Sequence, residues 1–308
     1  MEKIFKLIGV LFASLLLVWG IIYLKPVKKR PDHAFYREED PEFLVVAHRG
    51  GKAIAPEGTK AAFDKSRDLG VDIFEYDIHM TEDGYLVVSH DPRVDRMTDG
   101  TGLINEMTLE EVQALDAGYS YEDEEGNFSY RDQGVYIPTV AEVFEAYPKM
   151  RQLIEIKDTN NEELYDEIIR KLSILITEYE MEDQIMVGSF DHEINESFEK
   201  FTEGEIPIGA GEQAVRSFAY MHIPYLNGLA KSEVDSFQLP VEQEGFNLAT
   251  KNIINSAKKR NMTIFYWTIN DEEEMKELIL KGVDGLITDY PDRMIKVLEE
   301  LENEGEIE

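Results

Sequence analysis

Short runs of branched and aromatic apolar residues recur from residue 43 onwards, with amphipathic stretches between them. The strand-like runs are FLVVA (43–47), VDIFEYDI (71–78), YLVVSH (85–90), QLIEIK (152–157), QIMVGSF (184–190), IPIGAG (206–211), SFQLP (236–240), MTIFYWTI (262–269) and GLIT (285–288). Stretches such as TKAAFDKSRDLG (59–70), NEELYDEIIRKLSILITEYE (161–180), ATKNIINSAKKRN (249–261) and DEEEMKELILKG (271–282) place apolar residues at helical spacing. Strands that alternate with helices build a parallel sheet through right-handed crossovers. Roughly 250 residues with about eight such repeats favour an α/β fold of the (β/α)8 TIM-barrel type over an open doubly wound sheet. Nine runs compete for eight places, and IPIGAG and SFQLP are the weakest of them.

Two segments break this rhythm. After the third strand, an insertion over about residues 92–137 is turn-rich and charged, including YSYEDEEGNFSYRDQG (119–134), before a helix signal in PTVAEVFEAYP (138–148). Long βα loops of a barrel lie on its functional face, so the insertion is expected to shape the entrance there. At the other end of the chain, LIGVLFASLLLVWGIIYL (7–24) passes eighteen residues without a charge. A membrane-spanning helix needs about 20 residues, whereas the apolar part of a cleaved signal is usually about 7–15. Trp19, Gly20 and Tyr23 lead into Lys25, Lys28, Lys29 and Arg30, and no cysteine is present for lipid attachment. The chain therefore divides into a short tail (1–6), a retained transmembrane helix (7–24), a proline- and charge-rich linker or strap (25–42) and a barrel domain (43–308). The Lys/Arg count across the span would keep the domain in the cytoplasm, while the six-residue tail, easily held inside, tips the expectation to the extracytoplasmic face.

Charge sharpens this division. The chain's net −32 comprises +5 over residues 1–30 and −37 over the rest. So acidic a domain will not bind nucleic acid through bulk charge, and anionic headgroups repel most of it.

The candidate chemistry gathers at strand ends. VVAHRGG delivers His48 and Arg49 from a buried strand into a glycine pair, which lets the backbone turn sharply or approach a ligand closely. In VDIFEYDIHM, Glu75, Asp77 and His79 are spaced by two and share a strand face. Adjacent carboxylates on a buried face repel one another unless a cation neutralises them, and hard oxygens suit Mg2+ or Ca2+. His79, nearer the following turn, reads as structural. YLVVSHD ends in His90, and QLIEIKD ends in Glu155 and Lys157. In a parallel barrel such ends converge on one mouth. Three carboxylates then form a divalent-cation site, two histidines supply a general base and a general acid, and Arg49 and Lys157 suit an anionic group. Together they point to a phosphoryl-ester site. The other histidines, His33, His192 and His222, have no partners at ligand spacing.

HRG (48–50), PEGTKAAF (56–63), FEYDIHMTEDGYLVVSHD (74–91), EIK (155–157) and GLITDYPD (285–292) resemble the glycerophosphodiester phosphodiesterase family, in order from about Phe43 to Met294. The resemblance implies a barrel enzyme that uses one divalent cation, Ca2+ or Mg2+, to split glycerophosphodiesters into glycerol 3-phosphate and an alcohol. It places His48 and His90 as the acid/base pair, Glu75, Asp77 and Glu155 as metal ligands, and Arg49 and Lys157 on the phosphate. Trp267 resembles the pocket-lining aromatic, and Glu57 a support of the metal site. Gly58 departs from the family's P-E-N-T, which implies a looser loop or a different headgroup. An anchored domain near lipid suggests, as an alternative, a lysophospholipase D or a teichoic-acid-type phosphodiesterase, with Tyr119, Tyr121, Phe128 and Tyr130 rimming an acyl entrance or packing their own loop. A non-catalytic, membrane-tethered phosphodiester sensor is the remaining alternative.

Overall fold

The computed structural model of the chain describes residues 1–37 and 40–307. Its first element, α1 (Glu2–Tyr23), buries no residue. It begins five residues before the uncharged run, and Lys6 pairs with Glu2 at 2.7 Å in its first turns. The expected six-residue tail is therefore helical. The domain opens with β1 (Leu44–Ala47), α2 (Lys60–Leu69), β2 (Ile73–Met80) and β3 (Leu86–Val88). After the short helices α3 (Leu109–Gln113) and α4 (Val140–Ala146) come β4 (Arg151–Ile156), α5 (Tyr165–Glu178), β5 (Ile185–Gly188), α6 (His192–Phe201) and α7 (Glu212–His222). The last third holds β6 (Ser236–Leu239), a small hairpin of β7 (Glu242–Gln243) and β8 (Phe246–Asn247), α8 (Lys251–Lys258), β9 (Thr263–Tyr266), α9 (Glu272–Leu280), β10 (Gly285–Thr288) and α10 (Pro291–Glu304).

Parallel pairing runs β5-β4-β2-β1-β10-β9-β6. Single parallel bridges Val187↔Ile208 and Gly209↔Ser236 join the two edges through residues 206–209, so the sheet closes as a (β/α)8 barrel. The surplus run is neither of the two weak ones. IPIGAG provides the closing bridges and SFQLP is β6, whereas YLVVSH pairs antiparallel with β2 as a hairpin. A short apolar run carries no mark of strand direction, and the four-residue turn from β2 sends it back along the same strand.

Inward-facing positions follow the period of two. Leu44, Val46, Ile73, Leu153, Met186, Phe265 and Ile287 fill the lower barrel interior. Phe35 joins them from outside the barrel, only 1% exposed, with Tyr36 packed beside it. The strap thus plugs the N-terminal end of the barrel. Arg30 grips Asp235 at 2.7 and 2.9 Å and Glu199 at 2.6 Å, Tyr36 bonds Thr263 at 2.6 Å, and Arg151 donates to the Phe35 carbonyl at 3.2 Å and to Asp40 at 2.5 Å. A domain boundary at residue 43 would cut this plug away.

Emptying a filled aromatic site in a core costs about 3–5 kcal/mol. Phe35→Ala is expected to destabilise the domain by about that amount in denaturant unfolding. A chain beginning at residue 43 should unfold at lower denaturant than one beginning at residue 26.

Candidate active site

Where the strands end, the inward row changes from apolar to charged within two residues. Glu75 and Asp77 follow Ile73, Glu155 and Lys157 follow Leu153, and Trp267 follows Phe265. These side chains, with His48, Arg49 and His90, line one cavity of about 450 Å3 at the C-terminal end of the barrel. Glu57 sits behind Arg49 and His90, against an adjoining small void. His90 reaches the mouth by a different route from the one its sequence context suggests. It is carried by the antiparallel return of β3, where Ser89 N donates to Asp77 O at 2.9 Å, so His90 lands beside Asp77 and not at a parallel strand end.

The turn after β1 is built on positive φ angles at Arg49 (50°), Gly50 (76°) and Gly51 (94°). It aims the Arg49 backbone N–H at Glu75 Oε2, 2.8 Å away. Neither glycine lines the cavity. A Cβ on Gly50 would meet the Phe63 ring at 2.8 Å, and one on Gly51 would meet Ser66 Oγ at 2.7 Å, so their close approach is to α2. The Gly58 loop is not slack either. Gly58 N donates to Arg49 O at 2.8 Å, and a Cβ there would stand 3.0 Å from Val88.

Glu75, Asp77 and Glu155 hold one oxygen each within 4.8 Å of the others. Burial, then the neighbouring Asp77, push the Glu75 carboxyl well above its usual range, and the same two causes push Glu155 up to about 8. Lys157 Nζ approaches Glu155 at 2.9 Å and Asp77 at 3.4 Å. Burial works against its ammonium, but the two carboxylates outweigh that and hold its pKa above the ordinary lysine value. Arg49 Nε nonetheless remains buried without a hydrogen-bond partner. Carboxylates this crowded, with the Lys157 ammonium close to two of the three, fit a hard divalent cation. An arginine N–H short of a partner fits an oxyanion beside it.

Each cavity histidine has a carboxylate on Nδ1. His48 Nδ1 lies 2.5 Å from Asp289 Oδ1, and His90 Nδ1 lies 2.7 Å from Asp91 Oδ1. That fixes Nδ1 as the donor and leaves Nε2 to act. Asp289 is itself held by Asn270 at 2.9 Å and by Lys52 at 3.3 Å. Arg96, from the insertion, donates to Asp91 at 2.5 Å and in a fork to Glu57 at 2.7 and 2.9 Å, while Arg49 reaches Glu57 at 3.0 Å. Burial opposes the Glu57 charge, but Arg96 and Arg49 outweigh it and hold its carboxyl below the usual range. The sequence reading gave no role to Asp289, Asp91 or Arg96. Asp289 was within reach of it, since it stands two residues beyond inward-facing Ile287. Arg96 gave no such signal.

Other expectations resolve as follows. His79 bonds Ser89 O at 2.9 Å and Thr159 Oγ1 at 3.1 Å, burial brings its pKa down to about 4, and it ties the hairpin to the loop after β4. His222 bonds Phe218 O and Ser256 inside the helical layer. No residue of the insertion lines the cavity. Its aromatics pack on themselves and on the barrel, with Tyr121 edge-on to Tyr130 at 5.3 Å, Tyr121 OH bonded to Ala53 O, and Arg131 over Tyr119 and Phe128. The aromatic wall of the mouth is Phe190 set edge-on to Trp267, 5.7 Å between centroids.

Comparison with known proteins agrees with this geometry. Residues 48–293 match the model of the glycerophosphoryl diester phosphodiesterase family. A glycerophosphodiester phosphodiesterase from Caldanaerobacter subterraneus subsp. tengcongensis is 34% identical, over 83% of this chain and 97% of that protein. Lysophospholipase D from Homo sapiens is 27% identical, over 81% of this chain and 84% of that protein. Among solved structures, a phosphodiesterase from Oleispira antarctica in complex with the product sn-glycerol-3-phosphate is 26% identical with a TM-score of 0.68, covering 83% of this chain and 96% of that one. A domain from Mycobacterium tuberculosis matches in fold, with a TM-score of 0.72 at 17% identity over 84% of this chain and all of that one.

Raised carboxyl pKa values make a signed statement about stability. In the metal-free protein the contribution of Glu155 is fully present below the unfolded value of 4.5 and is lost as pH rises through about 8, and the raised Glu75 carboxyl acts in the same direction. Bound Ca2+ or Mg2+ should cancel that loss. The rise in melting temperature on adding either ion is expected to be larger at about pH 8.5 than at about pH 6, and to vanish in Asp77→Asn. A shift independent of pH would contradict this electrostatic account.

Proposed function

This chain belongs to the glycerophosphoryl diester phosphodiesterase family, and from that premise we propose that it hydrolyses glycerophosphodiesters to glycerol 3-phosphate and an alcohol by metal-assisted histidine acid/base catalysis. The observation that carries this reading is the pairing of two imidazoles, each with a carboxylate on Nδ1, across a cavity that also holds three clustered carboxylates. Glu75, Asp77 and Glu155 would hold one divalent cation, Ca2+ or Mg2+. When bound, that cation supplies a Lewis acid that stabilises charge developing on a non-bridging phosphate oxygen.

The chain's own residues supply the rest. Arg49 and Lys157 bind the phosphate oxygens, with Arg49 Nε offering its unpartnered N–H, and Glu57 with Arg96 keeps the Arg49 side chain in place. Burial depresses the His90 pKa, so His90 is neutral at pH 7 and suited to take a proton on Nε2. It removes that proton from the attacking hydroxyl, either water directly or the substrate hydroxyl beside the ester, in which case water then opens the cyclic phosphate with the two histidines in exchanged roles. His48, held by Asp289, gives a proton to the departing alkoxide, so that one proton enters the pair as another leaves. Trp267 and Phe190 form the apolar side of the pocket.

A second reading, lysophospholipase D activity on the same site, draws on Phe190, which is 42% exposed at the mouth beside Trp267 and offers an apolar landing for an acyl chain. We also read α1 as a retained anchor. Its most apolar window has a mean hydropathy of 2.3, none of it is buried, and Trp19 and Tyr23 mark its end.

The decisive assay is release of glycerol 3-phosphate from glycerophosphocholine by the chain, with Ca2+, with Mg2+ and with chelator. Release is expected only with a cation, and His48→Ala and His90→Ala should each lower kcat by about 10²–10⁴. Turnover unaffected by chelator, or near-native turnover in His90→Ala, would sink the mechanism.

A further inference from the structure

The strap fixes where the anchor leaves the domain. Residues 30–36 lie across the N-terminal ends of the strands, through Arg30 to Asp235, the Asn261 side chain to the Arg30 and Pro31 carbonyls, and Tyr36 to Thr263. Only residues 24–29 separate α1 from that grip, and Ser232 holds the Lys28 carbonyl at 2.7 Å on the way. The end of α1 itself touches the loop that leads from α7 into β6. Trp19 Nε1 donates to the Pro224 carbonyl at 3.3 Å, the Tyr23 and Tyr225 rings are 6.3 Å apart, and Gly228 lies against the Ile22 backbone, where a Cβ would not fit. α1 therefore emerges from the barrel face opposite the cavity.

Around that exit the surface is apolar. Leu24, Ile223, Tyr225 and Leu229 are 78, 42, 49 and 47% exposed. Lys25, Lys28 and Lys29 stand beside them in a chain whose remainder carries −37. Aromatic rings, aliphatic tips and lysines around the end of an apolar helix match the layered chemistry of a bilayer surface, with acyl boundary below and anionic headgroups above. We propose that the 223–229 loop, with the end of α1, is a membrane-seating surface that holds the barrel's lower face against the lipid headgroups, so that the catalytic mouth opens away from the bilayer. The proposal rests on the reading of α1 as a retained anchor and deepens the functional one. A mouth so held meets soluble phosphodiesters, while the acyl chains of its own membrane lie beneath the opposite face.

The absence of cysteine allows a direct test on the full chain. Tyr225→Cys and Leu229→Cys, each carrying a polarity-sensitive fluorophore, would be reconstituted in vesicles of phosphatidylethanolamine and phosphatidylglycerol. Glu125→Cys on the insertion, at the mouth side, serves as the reference. Emission is read only from chain that floats with the vesicles. Labels at 225 and 229 are expected to be quenched by lipids brominated on their acyl chains and protected from aqueous iodide, with the opposite pattern at 125. Iodide quenching at 225 and 229 in floated chain would overturn the seating surface while leaving the anchor intact. Protection from both quenchers would overturn it in favour of a protein partner. A chain that does not float would overturn the anchor and the seating surface together.

Discussion

Everything at the mouth depends on the period of two in a closed parallel barrel. Each strand offers the interior a single row of side chains, and along that row the chemistry switches once, from Val46 to His48, Ile73 to Glu75, Leu153 to Glu155 and Ile287 to Asp289. Because β1 pairs with both β2 and β10, and β2 with β4, in parallel register, these switches fall at neighbouring heights. A slip of one residue in any strand would turn its charged pair into the helical layer, where nothing could solvate or neutralise it. The apolar stretch below, sealed by Phe35, keeps water out of the lower barrel and so strengthens every charge interaction above it.

That environment leaves the site short of positive charge. Asp77 has Lys157 at 3.4 Å and Arg49 only at 3.9 Å, and the Arg49 guanidinium is already committed to Glu57. The balance shows in the raised Glu75 and Glu155 carboxyls. Around this core the charges are satisfied. Glu57, Arg96 and Asp91 form a chain of ion pairs that ends on His90, and Asp289, held by the Lys52 ammonium and the Asn270 amide, pairs with His48. The outer charges thus hold the rings and the arginine still, and the inner ones are left for ligands. In the proposed mechanism this is the division between positioning and reacting groups.

Most of the barrel was legible because branched apolar runs and helical spacing are local signals, and the glycerophosphodiester motifs sat on the residues that the strands bring together. What escaped was non-local. Whether YLVVSH runs parallel or antiparallel depends on which neighbour it pairs with, and its own residues do not encode that. The partners of the two histidines differ in the same way, since Asp91 is adjacent to His90 but Asp289 is 241 positions from His48. Phe35 and Tyr36 are an isolated aromatic pair in a proline- and charge-rich stretch, so no periodicity marked them as core. The insertion misled for another reason. Its length and position suggested a rim, yet its aromatics pack on one another and on the barrel, and it reaches toward the site through the Arg96 fork and through Met97 at the void behind Arg49 and His90.

The strap joins what the sequence seemed to separate. Read locally, residues 25–42 divide an anchor from an enzyme; in space they are part of the barrel's floor, and the same few residues that exclude water from below fix the exit of α1. A tether ending in a flexible linker would let the mouth sample every orientation, including one facing lipid. If α1 is an anchor, a tether pinned by Arg30, Tyr36 and Phe35 leaves only residues 24–29 to flex, which narrows that freedom. On the anchor reading, the packing of Phe35 and the grip of Arg30 and Tyr36 would couple the position of the helix to the direction in which the mouth opens.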